Sequence, residues 1–323
     1  MVRGPGSGNC ITLIPDPILS KLTHLAPAGI RTAVWRTIRR GREAVYRLGP
    51  RHEIRSADAT YSTSPPSSQN AIDIFKGTWM SALPAEYGVT AGSRASFDDE
   101  RVRWAERMLP TGFRGLTILE LGPYEAYNAW QFERLGASAV TAIEANDLSF
   151  LKALVVKEVT GMRTRLLHGD FLAYLEASPQ RFDLVWASGV LYHSSDPLRL
   201  IAAIARVTDV VFLHSHYFVE GAAASAHAES FFEPLRNRRE RVGDREVTLH
   251  FRGYGQAKRG SFVGGPAGYS YWMEKDDIFA AFRQAGFAEI LVGSDDPGNP
   301  NGPALFCLAK RAGKTVSQEG EPR

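Results

Sequence analysis

The chain has 323 residues, 44% of them hydrophobic and 23% charged, with a formal net charge of +3. This is an ordinary soluble composition, long enough for a sizeable core, and the charge is too small to argue for nucleic acid by itself. Two cysteines far apart, Cys10 and Cys307, make neither a disulfide framework nor a metal cluster, and they fit a reducing, cytoplasmic setting.

The opening stretch, "MVRGPGSGNCITLIPDPILS", lacks the long apolar core of a targeting signal and is broken by Pro15 and Pro17. No apolar run reaches the roughly 18 residues of a membrane span. Residues 1–56 form a basic, partly helical N-terminal extension. In "IRTAVWRTIRRGREAVYRLG", Ile30, Val34, Ile38, Val45 and Leu48 fall on one helical face and Arg36, Arg39, Arg40, Arg42 and Arg47 crowd the rest. This helix reads two ways: packed on its own domain with a solvated basic face, or lying through residues 30–48 on an anionic membrane or RNA. Residues 57–70, "ADATYSTSPPSSQN", read as a Ser/Thr/Pro linker, and 71–114 as a helical lead-in.

From residue 115 the pattern alternates. "LTILELG", "AVTAIEA", "RTRLLHGD", "FDLVWASG" and "DVVFLHSHYF" are short strands, and helices follow the first four, the second of them capped at Asp147 and ended by Gly161. Residues 218–272 interrupt the alternation with a Gly-, Arg- and aromatic-rich insertion. A helix, "KDDIFAAFRQAGF", then precedes two strands, "AEILVGS" and "ALFCLAKR", joined only by the turn-rich "DDPGNPNGP". Such a joint predicts an antiparallel pair. The fold expected is α/β, a doubly wound, mostly parallel sheet of about seven strands with an antiparallel last strand. The catalytic-type domain spans 71–310 and residues 311–323 read as a disordered tail.

The informative segment is "TILELGPYEAYNAW", residues 117–130. It runs strand, carboxylate, glycine, helix, the layout of a nucleotide loop at a sheet's switch point. A pyrophosphate cradle would have three glycines, whereas this loop has only Gly122. Pro123 removes a donor, and Glu125 puts negative charge where phosphate would sit, so NAD and FAD fit poorly. A cationic nucleoside without phosphates fits better. Carboxylates stand at successive strand ends: Glu120, then Glu144, suited to two ribose hydroxyls, then Asp170, placed for an adenine amino group.

The stretch 115–215 resembles the class I S-adenosylmethionine (SAM)-dependent methyltransferases. "ILELGPYEA" is similar to their first motif, "AIEAN" to their ribose-binding strand end, and "FDLVWASGVLYHSSDPLRLI" to the segment after their fourth strand. Within the class, "GVLYH" resembles the wobble-uridine tRNA-modifying branch, which uses a carboxylated SAM, and equally methyltransferases of glycan or small-molecule pathways. The departure is the single glycine. The resemblance implies SAM as cofactor, held by Glu120, Gly122, Pro123, Tyr124, Glu144, Ala145, Asn146, Asp170, Phe171, Ser188 and Gly189.

Methyl transfer to oxygen needs alignment and a base. His193, closing "SGVLYH", and His216 are the candidate catalytic residues. His214 lies two positions from His216 on the same strand face. His193 reads equally as a structural residue of its loop, and a histidine metal site lacks a third ligand at fixed spacing. Tyr192 and Tyr217 are candidate acceptor-pocket residues, and Lys76 and Trp79 a candidate cover over the cofactor. The insertion's arginines, among them Arg236, Arg238, Arg239, Arg241, Arg252 and Arg259, read either as a solvated surface or as a binder of an anionic acceptor. The expected reaction is methyl transfer to oxygen, or to nitrogen, of a small-molecule or glycan-type acceptor. The alternatives are tRNA modification, with RNA as partner, and a non-catalytic SAM-fold binding protein.

Overall fold

A computed structural model describes residues 61–178, 180–221, 232–254 and 264–313. The basic extension 1–56, with its helix at 30–48, lies outside these residues, as do Cys10 and Arg259. Helices α1 (Ser68–Asp73) and α2 (Glu100–Met108) come first. The alternating core then runs β1 (Thr117–Leu121), α3 (Tyr127–Arg134), β2 (Ala139–Glu144), α4 (Asp147–Thr160), β3 (Arg165–His168), α5 (Phe171–Ala177), β4 (Leu184–Ser188), α6 (Pro197–Val207) and β5 (Val210–His216). The insertion supplies β6 (Arg238–Val242), β7 (Arg245–Gly253) and β8 (Tyr269–Trp272), and α7 (Lys275–Gln284), β9 (Glu289–Asp296) and β10 (Ala304–Lys310) follow.

The main sheet has seven strands in the order β9-β10-β5-β4-β1-β2-β3. β1 to β5 are mutually parallel, while β10 runs antiparallel to both β5 and β9. The doubly wound sheet and the antiparallel last pair are therefore as the sequence pattern predicts. Alternate residues of each strand feed opposite faces. Leu119, Leu121, Val185, Ala187, Val211 and Leu213 pack with α6 and α7. Ile118, Leu184, Trp186, Val210 and Phe212 pack with α2, α3 and α4. Trp186 and Phe212, register partners on β4 and β5, stack 3.6 Å apart at 7°.

Four sequence expectations are corrected. The linker ends at residue 67, because Ser67 caps α1, its Oγ accepting from the Asn70 N–H at 3.2 Å. The 71–114 lead-in is mostly irregular rather than helical: beyond α1 and α2 it holds one 3₁₀ turn at Ala85–Tyr87 and one short extended segment at Pro110–Phe113, and Gly92 lies so close to the Met80 backbone that a Cβ there would sit 2.3 Å from it. The cap of α4 is Asn146, not Asp147. Arg311 is no tail residue: it donates to the Ala205 carbonyl at 2.7 Å and pairs with Asp209 at 3.1 Å. The insertion's described part forms a three-stranded antiparallel sheet, β6-β7-β8, tied to the turn after β4 by the Tyr271 N–H on the Ser194 carbonyl, 2.9 Å. Among the described residues no helix is long and apolar enough to cross a membrane.

Candidate active site

The strand order reverses between β1 and β4, so the crevice at their carboxyl ends is where an open α/β sheet binds ligands. The loop leaving β1 takes an unusual path. Gly122, Tyr124 and Ala126 all have φ near +60°, at 66°, 56° and 57°. Only the first is a glycine: besides its φ, a Cβ there would lie 2.9 Å from Val190 Cγ1, so a side chain would be strained on both counts. The other two left-handed residues cost on the order of 1–2 kcal/mol each.

Glu144 and Glu125 hold that path. At the end of β2, Glu144 accepts from the Tyr124 N–H at 3.0 Å through one carboxylate oxygen and from the Asn146 N–H at 2.8 Å through the other. Glu125, fully buried, accepts from the N–H groups of Met80 and Ser81 at 3.0 and 2.8 Å and pairs with Lys152 at 2.7 Å. Lys152 is itself buried, donates to the Thr78 carbonyl at 2.9 Å and faces the Tyr124 ring at 4.7 Å. The expectation that Glu125 would repel phosphate is thus corrected. Its charge is neutralised by Lys152 and turned toward residues 78–81, which it staples to the loop.

At the crevice floor, Glu120 is buried, and burial pushes its carboxyl up to about 8 against contacts with Asn128 and the Ala129 N–H. Its Oε2 is a buried acceptor with no hydrogen-bond partner. Burial also raises Glu144, opposed by its backbone donors. Pro123 is buried and its carbonyl accepts from the Ala126 N–H at 2.8 Å. Asp170 caps α5, accepting from the Leu172 N–H at 2.8 Å, and Phe171 beside it packs on the core. Ala145 is half-buried and Asn146 exposed, and Ser188 and Gly189 (φ 79°) end β4. The expected cofactor residues thus lie at the ends of β1, β2, β3 and β4.

The acceptor side is aromatic and histidine-rich. His193 ends a 3₁₀ turn, Leu191–His193, and its Nδ1 lies 2.7 Å from the Tyr254 hydroxyl. His214 and His216 project from β5 with ring centroids 6.2 Å apart. His216 stacks on Trp272 at 5.4 Å and 9° and meets Tyr192 edge-on at 4.7 Å. Tyr217 instead donates to Asp295 at 2.6 Å. Among the described residues no cluster of three His, Cys, Asp or Glu could hold a metal. Lys76 and Trp79 line a concavity of about 380 Å³ beside α1, and the Trp79 indole donates to the Ile72 carbonyl at 2.8 Å.

Sequence reasoning missed Arg101 and Lys152. Arg101, on α2, is gripped by Asp99 and reaches Ser188 Oγ at 3.2 Å and His214 Nδ1 at 2.8 Å. The sole signal was the alternating charge of "FDDERVRW", with Asp99 as helix cap.

Residues 119–210 match the family described as a methyltransferase domain. A tRNA U34 carboxymethyltransferase of Dichelobacter nodosus is 27% identical over 144 residues, 44% of this chain and 44% of that one. The enzyme of the same name from Cronobacter sakazakii is 30% identical over 129 residues, 37% and 36%. The chain thus spans under half the length of the curated relatives it matches. The N-terminal domain of EvdMO1, crystallised in the presence of S-adenosylhomocysteine (SAH) and D-fucose, shares the fold: TM-score 0.57, 20% identity, 76% of this chain and 95% of that one.

Proposed function

We infer that this chain, which carries a class I SAM-dependent methyltransferase domain, transfers a methyl group to an oxygen of a small-molecule or glycan-type acceptor. The observation that carries the cofactor side is Glu120 Oε2, a buried carboxyl oxygen without a hydrogen-bond partner, two residues before Gly122, where a Cβ would lie 2.9 Å from Val190. A cation suits that acid and a phosphate does not. Bound SAM supplies an electrophilic methyl group on a sulfonium. Glu144 takes backbone donors on both oxygens and keeps acceptor capacity for a ribose hydroxyl. Asp170 keeps the oxygen that does not cap α5.

On the acceptor side, His216 is the base we favour. Its Nδ1 lies 2.8 Å from the Gly302 carbonyl, which can only accept, so Nδ1 carries the proton and Nε2 the lone pair. His193 shapes the wall with Tyr254. The insertion's arginines favour a small acceptor over an RNA backbone. Arg236, Arg239 and Arg245 pair with Glu233, Glu246 and Asp277 at 3.5, 3.4 and 2.6 Å, and Arg238 pairs with Glu240. D-fucose in the crystals of the EvdMO1 domain is a second reason to begin with sugars. The test is to incubate the protein with SAM and panels of sugars, small phenols and carboxylates, and unmodified tRNA, following SAH release. Turnover with a hydroxyl compound supports the reading. Turnover with tRNA alone would replace it by the wobble-uridine reading, and no turnover with tight SAM binding would favour the binding-protein reading.

A further inference from the structure

Two histidines of one strand face, with different hydrogen-bond partners, carry more information than their positions. The partner of His214 Nδ1 is Arg101 Nη1, 2.8 Å away. A guanidinium has donors only, so this Nδ1 must hold a lone pair, and the neutral ring carries its proton on Nε2. The partners of His216 Nδ1 are the carbonyls of Gly302 and Pro303, 2.8 and 3.3 Å away. Carbonyls only accept, so this ring carries its proton on Nδ1 and leaves Nε2 open as an acceptor. Neither Nε2 has a hydrogen-bond partner among the described residues, and neither is among their fully buried orphaned polar atoms.

We propose that Arg101 and the Gly302 carbonyl lock His214 and His216 in opposite neutral tautomers, so that β5 offers an Nε2–H donor beside an Nε2 lone pair to an acceptor with two neighbouring oxygens. His216 Nε2 takes the proton of one hydroxyl and becomes an imidazolium. His214 Nε2–H donates to the adjacent oxygen and fixes which hydroxyl is presented. Arg101 is then a positioning residue acting through His214, itself oriented by Asp99 and Ser188. Burial holds both rings below the usual histidine range, first among the causes in each case, and for His214 the Arg101 charge adds to it. The inference rests on the proposed oxygen acceptor only for its last step, since the tautomers are properties of the protein alone.

The experiment is ¹⁵N–¹H correlation of the imidazole nitrogens in full-length, ¹⁵N-histidine-labelled protein at neutral pH. His214→Gln and His216→Gln assign the signals. The expected result is the Nε2–H pattern for His214 and the Nδ1–H pattern for His216. The same pattern at both rings, or a charged ring at either, overturns the lock. Arg101→Gln should mix the tautomers of His214 and leave His216 unchanged; an unaltered His214 would remove Arg101 from its role. With saturating SAH, cis-1,2-cyclohexanediol should shift both Nε2 signals, whereas cyclohexanol should shift at most one. No preference for the diol, including no shift with either, overturns the two-oxygen part while leaving the tautomers standing. A failure of the methyltransferase reading would show itself separately, as no SAH binding.

Discussion

The Glu125–Lys152 pair gives the sharpest test of how a one-glycine loop keeps its shape. Lys152→Met removes the ammonium that lies 2.7 Å from Glu125 and 2.9 Å from the Thr78 carbonyl. It leaves a carboxylate with no solvent exposure on two backbone N–H groups alone. Breaking one side of a buried pair costs about 3–5 kcal/mol. For a protein of this size each kcal/mol moves Tm by about 2–4 °C, so a fall of roughly 6–20 °C is expected. The assay is thermal and urea unfolding of Lys152→Met, Glu125→Gln and the double variant. The double variant leaves no buried charge, so it should be more stable than the sum of the single losses by about 0.5–3 kcal/mol. A Lys152→Met loss below about 1 kcal/mol, or strict additivity, would refute the stapling role. Because the pair holds Tyr124 and Ala126 left-handed, SAH affinity should fall along with stability.

Gly122→Ala forces a Cβ to 2.9 Å from Val190 at φ +66°, so about 1–3 kcal/mol of stability and most SAM affinity should be lost, as calorimetry would show. Glu144→Ala leaves the Tyr124 and Asn146 N–H groups without their acceptor, and a variant that still binds SAH normally would exclude the ribose role. The Glu120 carboxyl, near 8 when folded against 4.5 as its ordinary value, makes the native state hold the extra proton between those values. Its contribution to stability is therefore complete below about 4.5 and lost as pH rises through about 8. The ligand-free protein should lose Tm between pH 5 and 8 relative to Glu120→Gln, and parallel profiles would contradict the assignment. His216→Asn should abolish turnover and spare SAH binding, and unchanged turnover would remove it as the base.

The sheet was legible because its strands carry their own pattern: "TILEL" and "LVWAS" are mostly apolar and buried on both faces, as covered parallel strands are. The antiparallel last pair was legible from the absence of a helix between two strands. The places of Glu120, Gly122 and Glu144 at the strand ends were legible because strand-end carboxylates and a lone glycine are positional signals. Lys152 was not, since a lysine inside an apolar-looking helix reads as a surface residue until its buried partner is known. The role of Glu125 was misread for the same reason, because charge shows in sequence and direction does not. Arg101 comes from 87 residues before its partner Ser188, a pairing without local signature. The small sheet β6-β7-β8 was hidden by its glycines and arginines, which read as loop.

The central claim is a SAM site on a single-glycine loop, and the direct measurement is a thermal-shift titration with SAM, SAH and NAD. A ligand at a hundredfold its Kd stabilises by about 2.7 kcal/mol, which for a protein of this length is a Tm rise of several degrees, about 5–11 °C. The account predicts that rise with SAM and SAH and none with NAD. A rise with NAD, or with none of the three, would contradict it.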